Sequence, residues 1–249
     1  MIRFDDRGAV GVLTIDRQER RNALNGQLCD QMRELLLEHR DRRAIVITGA
    51  GTAFCAGADL VTRFEAEGDA HTDTFRPAFE LMLDTIVDHR APVVAAVNGP
   101  AIGAGMQLAV ACDIRVAAAG ARFAIPGGKL GIHLSPRNIW RLSQLVGNGA
   151  ARDFLLAGRT VDAAEALRMG LAQYVDADAY AIADEIAASA PFTVQGHKRS
   201  LNLVAEAQWI DDAAQAEIAA LEARAFGSED LREGMAAFAE KRPPKFQGR

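Results

Sequence analysis

Residues 95–109 have the sequence AAVNGPAIGAGMQLA, in which glycine, alanine and one proline lie between two apolar runs. The run at 93–97 is continuous and apolar, which is typical of a strand buried on both faces of a parallel sheet. From residue 103 the small residues continue into an apolar segment that predicts a helix ending near residue 112. The stretch therefore predicts a strand, a glycine-rich turn and a helix, the connection at which α/β sheets bind ligands.

A second segment of this kind, FCAGADL at 54–60, follows an apolar run at 44–48 and the turn GAG at 49–51. Both segments place backbone with almost no side chain after a strand, so a ligand can approach the N–H groups closely. Two such groups aimed at one point form an oxyanion hole. Tight packing of a helix on a strand is the alternative, because it also favours glycine and alanine. The presence of two matched segments favours the ligand site.

The rest of the chain continues the alternation of strands and helices. Further strands are predicted at 9–15, 114–117, 122–125 and 172–175, and helices from about residue 25, at 75–88 and over most of the chain beyond residue 136. Strands alternating with helices, followed by helices alone, indicate an α/β fold with a parallel-type sheet. We expect a core over residues 1–190 and a helical region over 191–249.

Composition narrows the class of protein. The chain has 249 residues, is 49% hydrophobic and carries a formal charge of −5, which argues against nucleic acid as a partner. Three cysteines without CxxC spacing favour a reducing cytoplasm. Scattered histidines give no metal site, and no apolar run is long enough for a membrane span. The sequence contains neither the GxGxxG fingerprint of dinucleotide-binding proteins nor the GxxxxGK[ST] motif of a P-loop.

The two small-residue segments, with RRNAL at 20–24, Cys112-Asp113 and EKRPPKF at 240–246, resemble the enoyl-CoA hydratase/isomerase (crotonase) family. The resemblance runs the length of the chain. It implies a crotonase-type spiral of ββα units with a helical C-terminal region that forms a homotrimer or a hexamer. It also implies a CoA thioester as ligand, with coenzyme A as part of the substrate and no permanently bound cofactor. The thioester carbonyl would lie between the backbone N–H groups of Ala58 and Ala104.

The chain departs from the family at two positions. Hydratases of the family resemble one another in two glutamates, and the matching positions here are Gln107 and Gly127. An amide exchanges no proton near neutral pH and glycine has no side chain, so we expect little or no hydration. Members of this kind resemble a lipid-synthesis branch, which implies fatty acyl-CoA binding and enzymes of fatty-acid synthesis as partners.

Other residues near these positions could react instead. His133 could serve an active hydratase or isomerase, which is the alternative function, or it could be a surface residue. Asp59 could react, although capping the next turn is the expected role. Cys55 is expected to be a buried thiol, and Ser135 without a base is expected to be inert.

The resemblance also implies which residues bind the substrate. Cations and one aromatic ring near the termini would meet the CoA nucleotide, and the variable stretch 61–75 with its apolar neighbours Phe64, Phe75, Phe79, Leu81 and Met82 would select the acyl chain. The binding residues implied in this way are Arg20, Arg21, Ala23, Ala56, Asp59, Leu60, Ile102, Gly103, Pro126, Leu130, Lys245 and Phe246.

Overall fold

The computed structural model of the chain describes residues 1–59, 74–130, 132–206 and 242–249, together with residues 213, 216, 217, 220, 224, 228–230, 233, 237 and 240. Leu60 and most of the stretch 61–75 lie outside these residues. Among the described helices, none is long and apolar enough to cross a membrane.

Six strands form the main sheet, in the order β1-β2-β3-β4-β6-β9. They are β1 (Ile2–Arg7), β2 (Val10–Ile15), β3 (Ala44–Gly49), β4 (Val93–Val97), β6 (Ile114–Ala117) and β9 (Tyr174–Val175). The pair β1 and β2 is antiparallel, and the other neighbours are parallel. A smaller sheet contains β5 (Ala101–Ile102), β7 (Arg122–Ala124) and β8 (Thr160–Asp162), with β7 central.

Helices follow pairs of strands along the chain, in the order β1-β2-α1, β4-β5-α3 and β6-β7-α4. The helices are α1 (Gly26–Glu38), α2 (Phe75–Asp88), α3 (Ala104–Ala111), α4 (Gly127–Leu130), α5 (Pro136–Arg152), α6 (Ala163–Arg168), α7 (Ala179–Ala188) and α8 (Pro191–Glu206). This repeated unit and the helical C-terminal part confirm the predicted α/β class. The boundary between 1–190 and 191–249 stays a prediction, although α8 begins at residue 191.

The main sheet is buried on both faces, which explains the continuous apolar runs of its strands. In β3, Ile45 and Ile47 pack toward α1, α2 and α3, whereas Val46 packs on the opposite face with Ala183 of α7. Successive side chains of a strand point to opposite faces, so each face of β3 contributes to a different part of the core.

The predicted boundaries of β4, β6 and α2 are confirmed, and those of β2, β3, β7, β9 and α3 differ by one or two residues. Strands β1, β5 and β8 were not predicted, and β5 has only two residues. β1 is an edge strand with mostly exposed polar residues, and β8 has only three residues between helical segments. Neither carries enough apolar periodicity to be recognised. Glycine breaks in the helical part are confirmed at Gly147, Gly158 and Gly170, all of which have positive φ.

Candidate active site

A cavity of about 330 Å³ lies beyond the carboxyl ends of β3 and β4, where α2, α3 and α4 meet. This is the edge of a parallel sheet at which ligands bind. Many of the predicted site residues line it: Ala56, Ala58, Ile102, Gly103, Ala104, Gln107, Pro126 and Gly127. The two small-residue segments are therefore brought together at one cavity.

The backbone N–H of Ala58 points toward this cavity. Leu24 N donates to Gly57 O (2.8 Å) and Asp59 N donates to Leu24 O (2.7 Å), so the Leu24 side of this extended segment is occupied. N–H groups alternate in direction along an extended chain, and that of Ala58 faces the other side. Within the described part of the chain, the Ala58 N–H donates no hydrogen bond.

The N–H of Ala104 is the second donor. Ala104 is the first residue of α3, and the first N–H groups of a helix have no partner within the helix. A Cβ placed on Gly57 would lie 3.7 Å from Ala104 N, so the Gly57–Ala58 peptide and the start of α3 are direct neighbours. Two N–H groups on adjacent segments, with the positive end of a helix dipole, form an arrangement suited to a carbonyl oxygen.

The glycines of the two segments serve two purposes. Gly57 and Gly103 have φ of 112° and 56°. A residue with a side chain would be strained in these backbone conformations, whereas glycine adopts them readily. Gly105 instead makes room for close packing, because a Cβ there would lie 2.2 Å from Cys55 O. Tight packing and the donor geometry therefore coexist.

The loop that contains Arg20 and Arg21 lies beside the cavity. The buried amide of Asn22 fixes it, since Asn22 Nδ2 donates to Ala50 O (2.9 Å) and Ala53 O (2.7 Å). Ala56, which lines the cavity, donates its N–H to Arg21 O (3.0 Å). Ala23, which follows Asn22 in the sequence, is buried. Arg20 and Arg21 are exposed, and within the described residues their side chains form no ion pair or hydrogen bond.

Asp59 is buried and forms an ion pair with Arg17, at 2.7 Å between Oδ2 and Nη2. Arg17 also donates to Ala23 O (3.2 Å). The ion pair therefore joins Asp59, which follows the cavity residue Ala58, to the loop that contains Arg20 and Arg21. The turn that it was expected to cap lies outside the described residues, as does Leu60.

The thiol of Cys55 is buried, as predicted, and Gly57 N donates to its Sγ at 3.4 Å. Burial raises the pKa of Cys55 to about 12, so the thiolate is not populated near neutral pH. Cys29 and Cys112 are also buried and free.

Gln107 and Gly127 both face the cavity. Gln107 follows Ala104 by one turn of α3, and Gly127 begins α4. A Cβ on Gly127 would lie 2.6 Å from Ile132 O, so any side chain there requires the 127–132 loop to shift. Leu130 lies in the same short helix.

His133 lines the cavity, and its side chain is exposed. Ser135 has a structural role, because its side chain caps α5 by accepting from Asn138 N at 3.3 Å.

Glu80 on α2 is a cavity residue that the sequence did not reveal. Asn138 Nδ2 donates to Glu80 Oε1 (2.9 Å) and to Gln107 Oε1 (3.0 Å), which joins α2, α3 and α5 at one amide. The available signal was modest: Glu80 follows the cavity residue Phe79 and lies one turn from Arg76, on the edge of the apolar stripe of α2.

A second, more apolar cavity of about 710 Å³ adjoins the first and is lined by α5 and the following turn. The two share Ile125, Gly127, Ile132, His133 and Leu134. Ile139, Trp140, Leu155 and the exposed Leu156 also line the second. Of the residues expected to select the acyl chain, Phe75 and Phe79 line the first cavity, and Phe64 lies outside the described residues.

Lys245 and Phe246 lie away from the cavity of their own chain. Arg43, which immediately precedes β3, donates from Nη2 to Phe246 O at 2.6 Å. The cavity follows Gly49 at the other end of β3, roughly 20 Å away for a strand of this length. A contact of these two residues with CoA stays a prediction.

Comparison with known proteins gives the family and the fold. A sequence model of the family described as enoyl-CoA hydratase/isomerase matches residues 5–249. The protein named probable enoyl-CoA hydratase echA6 of Mycobacterium tuberculosis is 44% identical over the whole of both chains. Carnitinyl-CoA dehydratase of Proteus mirabilis is 35% identical, covering 98% of this chain and 97% of that protein. The crystal structure of an enoyl-CoA hydratase/carnithine racemase from Magnetospirillum magneticum superimposes with a TM-score of 0.89 at 31% identity, covering 100% and 96% of the chains.

Proposed function

The chain belongs to the enoyl-CoA hydratase/isomerase family, and on that premise we propose that it binds a fatty acyl-CoA or enoyl-CoA thioester. The carbonyl oxygen accepts hydrogen bonds from the N–H groups of Ala58 and Ala104. The observation that carries this proposal is the meeting of these two donors at one cavity, on segments whose glycines expose them.

We propose that this site catalyses the addition of water to an enoyl thioester only slowly. Adding water to an enoyl thioester needs one group to take a proton from water and one to deliver a proton to Cα, and each contributes about 100- to 10,000-fold. Gln107 and Gly127 supply neither group at the two positions that the family resemblance implies. The bound thioester is polarised, but its conversion to the hydroxyacyl product is slow.

The CoA moiety enters with the substrate and leaves with it. Arg20 and Arg21 are exposed beside Ala56 and meet its phosphates from this chain. Lys245 and Phe246 lie at the far end of β3, so in our proposal they meet CoA bound by a neighbouring copy. This arrangement fits a homotrimer or hexamer assembled through residues 191–249.

The acyl chain extends from the first cavity into the second. The two cavities share the wall formed by Ile125, Gly127 and Ile132, and apolar groups such as Trp140 and Leu155 line the second. A cavity of about 710 Å³ accommodates a chain of medium or greater length. Three free, buried cysteines fit a reducing cytoplasm, where enzymes of fatty-acid synthesis would supply or receive the ligand.

Two measurements on the full-length protein test this function. Calorimetric titration with dodecanoyl-CoA, below its micelle concentration, should give saturable binding with a micromolar Kd. Crotonyl-CoA should be consumed only at a trace rate. Absence of binding would contradict the thioester site, and rapid hydration would contradict the weak catalysis.

An active hydratase or isomerase that uses His133 is the second candidate, because His133 lines both cavities. In that case crotonyl-CoA or a 3-enoyl-CoA is turned over by the native chain, and His133→Ala removes the turnover while binding persists.

A further inference from the structure

We propose that Glu80 is a general base of this cavity, which removes a proton from Cα of the thioester bound there. The inference rests on the proposed thioester site. It assigns a reactive carboxylate to α2, an element that carries neither Gln107 nor Gly127.

The position of Glu80 supports this role. It lines the same cavity as Ala58, Ala104 and Gln107 and is half-buried. Glu80 Oε1 and Gln107 Oε1 both accept from Asn138 Nδ2, so they lie no farther apart than two hydrogen-bond lengths. Gln107 is one turn along α3 from the Ala104 donor. The carboxylate therefore lies in the same cavity as the two donors, beside the side-chain oxygen of Gln107.

The orientation of Glu80 is fixed by a chain of polar contacts. The guanidinium of Arg141 donates from Nη1 to Asn138 Oδ1 (3.0 Å) and from Nη2 to Asp84 Oδ1 (2.7 Å). A guanidinium only donates, so the amide of Asn138 must direct its NH₂ group toward Glu80 and Gln107. Asn138 and Arg141 are buried, which holds Glu80 Oε1 in place. Asn138 is thus a positioning residue.

The chemistry needs only this one carboxylate. The Cα–H bond breaks, its proton passes to the Glu80 carboxylate, and the electron pair moves into the thioester to give an enolate. The enolate oxygen is held by the N–H groups of Ala58 and Ala104. Return of the proton from Glu80 to Cα regenerates the thioester, so no further reactant is consumed. Hydration needs a second group to activate water, which agrees with weak hydration.

Glu80 could instead serve only as an acceptor for Asn138. Glutamine would meet that structural role equally, because its Oε1 accepts the same hydrogen bond, but it cannot take a proton from carbon. Glu80→Gln therefore separates the two roles. The matched control is Asp88→Asn, a carboxylate-to-amide change at the exposed end of the same helix, outside the cavity.

The experiment follows deuterium uptake at Cα of octanoyl-CoA in D₂O by mass spectrometry, with binding measured by calorimetry on the same proteins. We expect the native chain to exchange the Cα proton faster than buffer does. Glu80→Gln should slow the exchange at least about 100-fold at unchanged affinity. Asp88→Asn should match the native rate.

The outcomes distinguish this inference from the proposed function. Lack of octanoyl-CoA binding by the native chain overturns both. Binding without exchange overturns the role of Glu80 alone, as does an exchange rate that Glu80→Gln leaves unchanged. Loss of exchange in His133→Gln, with Glu80→Gln fully active, would assign the base to His133.

Discussion

Glu80 and Gln107 lie on different helices and accept hydrogen bonds from one nitrogen, Asn138 Nδ2, at 2.9 and 3.0 Å. The two N–H bonds of a single amide group thus hold two side chains of the cavity lining in place. One acceptor is an amide and the other a carboxylate, so within this pair only Glu80 can exchange a proton.

Replacement of Asn138 by leucine should destabilise the protein. The change leaves the buried Arg141 without one acceptor, which costs about 1–3 kcal/mol, and it removes the donor of the half-buried Glu80 and Gln107. Urea denaturation should show a loss of at least that size. Gln144→Leu, at an exposed position of the same helix before the break at Gly147, should change the free energy of unfolding by less than about 0.5 kcal/mol. Equal effects of the two changes would argue against the network.

The crowding at Gly127 gives a second prediction. A Cβ at Gly127 meets Ile132 O at 2.6 Å, whereas one at Gly128 lies 3.9 Å from its nearest neighbour, Leu155 O. We expect Gly127→Ala to lower the free energy of unfolding by about 1–3 kcal/mol. Gly128→Ala, the neighbouring control in the same helix, should be neutral or slightly stabilising. Thermal and urea denaturation of both variants measure the difference, and equal stability would show that the loop yields freely.

Placing acids at residues 107 and 127 should not produce fast hydration. In Gln107→Glu with Gly127→Glu, the second side chain displaces the 127–132 loop, and the first places a carboxylate beside Glu80. Like charges this close raise the pKa of one of the groups, so the acids do not take the required protonation states independently. The rate of crotonyl-CoA consumption should stay at the native trace. A gain of about 100-fold or more would show that the loop and the pocket tolerate both acids.

Stability should fall in mild acid because of His89. Burial, and then the nearby Lys198, lowers the pKa of His89 from its ordinary value of 6.5. The unfolded chain therefore binds a proton that the folded chain resists, and the stability from neutral His89 is present above about pH 6.5 and lost below it.

Urea denaturation at pH 7.5 and 5.5 should show this loss, and His89→Gln should reduce it. The ion-paired Glu233, whose pKa is about 2, acts only at more acidic pH. A loss of stability identical in the native chain and in His89→Gln would contradict the assignment.

The sequence was most informative where local rules decide the structure. Buried parallel strands require continuous apolar runs, so 44–48, 93–97 and 114–117 could be placed closely. The glycine- and alanine-rich turns predicted exposed N–H groups after two strands, and the family resemblance indicated Ala58 and Ala104 as the donors. Both segments do meet at one cavity.

The position of Glu80 in the cavity could not be predicted, because it depends on how separate helices pack together. Helical periodicity placed it on α2, at the edge of the apolar stripe, but it reaches Gln107 only through Asn138 on a third helix. The position of Phe246 was equally hidden, since its carbonyl meets Arg43, about 200 residues earlier in the chain. Contacts between distant segments leave no trace in local patterns.

The central claim is that Ala58 and Ala104 polarise the carbonyl of a bound thioester. Isotope-edited infrared difference spectroscopy of octanoyl-CoA labelled with ¹³C at the carbonyl reports on that bond directly. Hydrogen bonds from two backbone N–H groups weaken the C=O bond, so binding should shift its stretching band to lower wavenumber. A band at the same wavenumber in the saturated complex as in free octanoyl-CoA would contradict the account.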